Sequence, residues 1–216
     1  MADKVLENNQ VSIVGEIVSE FTFSHEVYGE GFYTVDVAVS RLSNYADYIP
    51  LMVSERLIDT SQSYVGEKVY VTGQFRSYNR HEETRNRLIL SVFVREIQFV
   101  DDMWEEDVAD LPSNLIILDG YVCKPPVYRK TPLGREIADL LVAVNRAYGK
   151  SDYIPCICWG RNARFATTGR PRRTLRAPMR YDTMRHDTMR RSTTTPRAAT
   201  PRCHAPYAAL LSPLKK

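Results

Sequence analysis

Val37-Ala38-Val39-Ser40-Arg41, followed by Asp47-Tyr48-Ile49-Pro50, decides the architecture because it occurs twice. It returns as Val142-Ala143-Val144-Asn145-Arg146 and Asp152-Tyr153-Ile154-Pro155, an offset of 152 − 47 = 105 residues. The same offset pairs Asn9 with Asn114, Gly15 with Gly120 and Gly29 with Gly134, with no gap. A long internal period marks a duplicated unit. Two units are thus expected, each of roughly 100 residues, enough for a modest core without disulfide support.

Outward from this stretch, the first unit reads as strands. Tyr33, Val35, Val37 and Val39 alternate with Thr34, Asp36, Ala38 and Ser40, the pattern of a half-buried strand. Val11, Ile13 and Ile17 lie around Gly15 in an earlier strand, and Tyr48 to Val53 is a third. Arg56 to Tyr64 breaks the alternation and is expected to hold a short helix. Gly66 to Tyr78 forms a fourth strand, Asn79 to Asn86 a charged hairpin tip, and Leu88 to Val100 a fifth strand. Five strands with a helical insertion after the third is the pattern of a small Greek-key barrel, the OB-fold. In the second unit Leu115–Cys123, Ile137–Val144 and Tyr153–Trp159 repeat the first three strands, and the insertion starts at Gly160.

There the repeat stops. Gly66–Gly73 should have its counterpart at 171–178, where the chain reads Pro171-Arg172-Arg173-Thr174-Leu175-Arg176-Ala177-Pro178. Prolines remove ladder donors and no apolar alternation remains, so no central strand is expected. The organisation is therefore all-β: a complete OB-fold at 1–100, an acidic linker at 101–113, a partial second OB-fold at 114–166 and a disordered Arg/Thr/Pro tail at 167–216. Two origins of the tail compete. One is a frameshift in the coding DNA near codon 166. The other is a genuine basic tail that holds nucleic acid through phosphate charge.

Charge follows the same division. Residues 1–166 carry 17 Lys+Arg against 24 Asp+Glu (17 − 24 = −7), and residues 167–216 carry 12 against 2 (12 − 2 = +10). The formal net charge of +3 describes neither part. No apolar run is long enough to span a membrane and no signal peptide is read. Cys123, Cys156, Cys158 and Cys203 do not make a disulfide framework, and Cys156 and Cys158 lack metal-site spacing, so reduced thiols and a cytoplasmic location are expected. No P-loop is present, and His25, His81, His186 and His204 stand in loops or tail without a paired nucleophile or ligand set. No enzyme activity, cofactor or metal is expected.

Asn9-Gln10-Val11-Ser12-Ile13-Val14-Gly15 and Gly66-Glu67-Lys68-Val69-Tyr70-Val71-Thr72-Gly73-Gln74-Phe75-Arg76, in this order around Asp47-Tyr48, make the first unit resemble the bacterial single-stranded DNA-binding protein family. The second unit resembles it as far as Cys158-Trp159-Gly160-Arg161, and the combination is similar to the family's two-barrel members. The resemblance implies non-catalytic, sequence-tolerant coating of single strands in replication, recombination and repair, near the nucleoid. Aromatic stacking and a basic groove would carry it. It also implies homo-oligomers, with a dimer of this chain if both barrels close, and replication or repair proteins as further partners.

Carried over by position, the stacking residues are Tyr48 and Tyr153 on the third strands, Trp159 six residues beyond Tyr153, Tyr148 before that strand and Tyr78 on the long hairpin. Trp159 shares a sheet face with Tyr153 because strand side chains alternate. The first unit has Ser54 at the position of Trp159. Phosphate contacts fall on Arg41, Arg76, Arg80, Arg85, Arg87, Lys124, Arg129, Lys130, Arg146 and Arg161. The chain has no acidic, aromatic-tipped terminus of the kind the family uses to recruit proteins, and its first 166 residues are acidic. The missing tip puts partner recruitment by that route in doubt, while the acidic surface and the missing aromatic at Ser54 favour a second reading, an OB-fold protein–protein adaptor of a replication or primosome assembly.

Overall fold

The computed structural model describes residues 8–40, 45–82, 85–103, 111, 114–168 and 176–181. Most of the expected acidic linker, and of the tail beyond Thr168, lies outside them. The first unit runs β1 (Asn9–Ile17), β2 (Thr22–Val27), β3 (Glu30–Ser40), β4 (Ala46–Ser54), β5 (Lys68–Glu82) and β6 (Arg85–Phe99). The second runs β7 (Leu115–Val122), β8 (Val127–Lys130), β9 (Glu136–Asn145), β10 (Ser151–Trp159), one helix α1 (Arg161–Thr168) and β11 (Arg176–Tyr181).

The duplication is visible in the ladders. Glu16 faces Ala38 and Ile17 faces Val37; at the same offset Tyr121 faces Ala143 and Val122 faces Val142. Val39 faces Asp47 as Val144 faces Asp152. Gly15 and Gly120 sit where these strands cross. A Cβ on Gly15 would run into Val37 and Ala38, and one on Gly120 into Val142 and Ala143. Only glycine lets the two backbones approach so closely.

The units join through their first strands. β1 pairs antiparallel with β7, and at the centre of this ladder Val11 faces Ile116, its own counterpart in the repeat. Such self-pairing is the mark of a two-fold interface, here made within one polypeptide. Apolar residues of both units, among them Ile13, Val37, Phe75, Val142 and Ile154, form one buried cluster.

Three expectations need adjustment. Each unit carries one more strand than its pattern suggested, β2 and β8, the outer arms of hairpins with β3 and β9. Both arms are exposed along their whole length, so they show no apolar alternation. The helix expected over Arg56–Tyr64 does not form, and turns occupy the segment. The Asp59 carboxylate accepts from the backbone and hydroxyl of Ser61 and from Gln62, local bonds that compete with a helix. In the second unit α1 does form there.

The third concerns the break after the helix. β11 pairs with β7, but Ile116, whose counterpart Val11 faces Gly73, faces Tyr181 rather than Pro178, three residues out of register. β11 lies off the main strand path with β7 as its partner, where a proline is tolerated. Pro178 thus occurs in an edge strand, consistent with the exclusion of a central one, and part of the tail is ordered as backbone.

Candidate nucleic-acid interface

The interface is built on the repeated strand. In β4, Asp47 and Ile49 are buried while Tyr48 between them is 60% exposed; in β10, Asp152 and Ile154 are buried while Tyr153 is 50% exposed. Period-two alternation puts each tyrosine on the outer face of its sheet. The β9–β10 ladder runs without a bulge from Ser151 to Trp159, so Tyr153 and Trp159 share a face as expected. Trp159 is partly buried, and its indole Nε1 is buried without a hydrogen-bond partner. Ser54, its counterpart in the first unit, is buried, and its hydroxyl hydrogen-bonds Glu30 and accepts from the Arg56 amide. That residue closes a loop and offers no stacking face.

Tyr78 is exposed on β5 opposite Ile89, with Arg80 facing Arg87 further along the hairpin. Arg85 also lies in this ladder, opposite Glu82; the side chains of Arg80 and Arg85 are outside the described residues. Arg87, Lys124, Lys130 and Arg161 are exposed. Arg129 is engaged by Asp139 through Nε at 2.7 Å and Nη2 at 3.1 Å, which neutralises it. Arg129 and Trp159 both face Ile137, one from each side of β9, so this hairpin and the tryptophan do lie together. Tyr148 is almost fully exposed in a turn with φ of 68°, apart from the strand faces. Arg41 lies outside the described residues.

The seam between the units holds what the sequence did not announce. Asp152 is fully buried. Its Oδ1 accepts the Ser77 backbone N–H at 2.6 Å. Its Oδ2 receives Arg146 Nε at 2.6 Å and Arg76 Nη1 at 3.3 Å. Arg146 Nη2 also donates to the Ser77 carbonyl at 3.0 Å, and the Tyr153 amide donates to Ser77 Oγ at 2.8 Å. Burial by itself would raise the Asp152 pKa. The Arg146 hydrogen bond, the Ser77 amide and the charges of Arg146 and Arg76 outweigh it and hold the carboxyl below its ordinary value. Arg76 and Arg146, expected as free phosphate ligands, are thus tied to an acid, yet their side chains remain 26% and 30% exposed.

The thiols divide. Cys123 and Cys156 are free, with burial pushing the Cys156 thiol up to about 12, whereas Cys158 is disulfide-bonded, against the expectation of reduced thiols throughout. Among the described residues no group of side chains is placed to hold a metal ion, and no helix is long and apolar enough to cross a membrane.

The architecture is that of two OB-fold units joined through their first strands, each with an exposed tyrosine on its outer face. Residues 113–170 match the model of the single-strand binding protein family. The single-stranded DNA binding protein from Thermus aquaticus shares the fold, with a TM-score of 0.59 at 17% identity, covering 88% of this chain and 96% of that one. A deletion variant of that protein aligns with a TM-score of 0.53 at 18% identity, over 74% of this chain and 78% of that one. The N-terminal domain of PriB protein from Thermoanaerobacter tencongensis, a dimeric structure, is 44% identical over 44% of this chain and 98% of its own, with a TM-score of 0.38. No curated protein matches the sequence. The second unit thus matches the single-strand binding protein family, and the chain as a whole shares the two-OB-fold architecture of the Thermus aquaticus protein.

Proposed function

We propose that the chain binds and protects single-stranded DNA without regard to sequence and without catalysing a reaction. The observation that carries this reading is the repeated exposed tyrosine, Tyr48 and Tyr153, each standing out from an otherwise buried strand. A large aromatic held in the open between buried neighbours is a stacking platform, and stacking contributes about 1–3 kcal/mol per base whatever the base. Exposed Arg87, Lys124, Lys130 and Arg161 add phosphate contacts. The second unit has the stronger platform, because Trp159 extends Tyr153 where the first unit has buried Ser54. Roles in replication, recombination and repair, a cytoplasmic and nucleoid-associated location, homo-oligomers and replication or repair partners belong to the same reading.

Quenching of tryptophan fluorescence by an oligo-dT strand tests it. The chain has two tryptophans, so Trp104→Phe leaves Trp159 as the reporter. Quenching that weakens at the higher of two salt concentrations is expected, since phosphate contacts release counterions. Absence of quenching in both buffers, with the fold intact by circular dichroism, removes the reading and leaves the protein–protein adaptor.

A further inference from the structure

We infer that the two units share one single-stranded DNA path across their seam, and that Asp152 is the positioning residue that sets it. This rests on the DNA-binding reading and adds to it where the strand runs. Ser77 and Asp152 are buried and bonded to each other, 2.6 Å from amide to carboxylate. The next residue in each strand, Tyr78 in β5 and Tyr153 in β10, is exposed. The Tyr153 amide is itself held by Ser77 Oγ at 2.8 Å. A tyrosine from the first unit is therefore fixed, through one residue of backbone, beside a tyrosine from the second.

The charge at the seam suits a phosphate between them. Two guanidiniums, Arg76 and Arg146, meet one carboxylate, which leaves a surplus of 2 − 1 = +1. Arg95 is close enough to act on Arg76 electrostatically. Both ion-paired arginines keep about a quarter or more of their side chains exposed, so each can face a phosphate without leaving Asp152. A strand stacked on Tyr78 and Tyr153 would cross over this cationic seam.

The test compares dT strands of about 8 and about 35 nucleotides, the shorter lying within the site size of one OB fold, on the full chain. The wild type is expected to bind one short strand per seam, weakened by Tyr78→Ala and by Tyr153→Ala alike. Asp152→Asn is expected to weaken the short strand about fivefold, about 1 kcal/mol, and to leave the long strand, which reaches both units independently, nearly unchanged. If Asp152→Asn does not fold, Ser77→Ala, which keeps the Ser77 amide bond to Asp152 but removes the hydroxyl that holds the Tyr153 amide, is expected to show the same length-dependent loss. Two short strands per chain, each sensitive to one tyrosine, would overturn the inference. So would an equal loss at both lengths or no loss at either. If neither length binds the wild type, the DNA-binding reading itself fails.

Discussion

Asp152 and Ser77 lie 75 positions apart in the chain, and a 2.6 Å hydrogen bond from the Ser77 amide to the Asp152 carboxylate fastens the first unit to the second. The carboxylate is buried and answered by two arginines. Its contribution depends on its being ionised.

Acid is therefore expected to loosen the seam. The folded-state pKa of Asp152 is held below the ordinary 3.8. A depressed carboxyl gives stability that is fully present above the unfolded value and is lost as pH falls through the folded one. Chemical denaturation midpoints should stay flat from neutrality to about pH 5 and fall below about pH 4, with a smaller fall in Asp152→Asn. At neutral pH, Asp152→Ala should destabilise by about 3 kcal/mol, because it leaves two cations and an amide facing no acceptor. Identical acid profiles for the two proteins would show that Asp152 does not hold the seam.

Equal positions in the repeat should not weigh equally. Asn9 Nδ2 donates to the Phe75 carbonyl at 2.7 Å, and its Oδ1 accepts the Phe75 amide at 2.8 Å, both in the buried interior. Asn114 occupies the same place in the second unit, and its Oδ1 is buried with no partner. Asn9→Ala is expected to cost about 2–3 kcal/mol in urea unfolding, from the unsatisfied backbone groups it leaves, and Asn114→Ala about 1 kcal/mol, from the strain of alanine at its φ of 55° rather than from a lost hydrogen bond. Comparable losses would mean that the second unit closes around Asn114 as the first does around Asn9.

The family match ends at residue 170, and β11 then meets β7 three residues out of register. We propose a frameshift near codon 166 as the origin of this break, against a genuine basic tail. Translating the coding DNA in its other two frames beyond that codon should recover a G-x-x-V-x-V-x-G strand and a final β-branched strand. Finding neither would leave the basic tail as the genuine continuation of the chain.

The inner strands were legible because burial on one face leaves alternation in the residues, and the repeat supplied a second reading of the same ladder, Val37 with Val142. The outer arms were not: His25 and Lys130 lie in strands exposed on both sides, which leave no pattern. Tyr48 and Tyr153 are legible as exposed positions, since they stand at fixed places in a repeated strand whose neighbours are buried. In the repeat Asp152 is only a polar neighbour of Tyr153, whereas its burial depends on Ser77 and Arg76 in the other unit. No local pattern reports a partner that distant. For the same reason Arg76, Arg129 and Arg146 read as free cations, though each is paired with an acid.

Val11 opposite Ile116 has a consequence for assembly at low abundance. Two separate chains that pair first strand to first strand must find each other, and dilution separates them. Here the tether keeps the partner strand at a high effective concentration, so the pairing is unimolecular and does not depend on how much protein is present. A cell holding few copies of this chain would still have every pair of units joined.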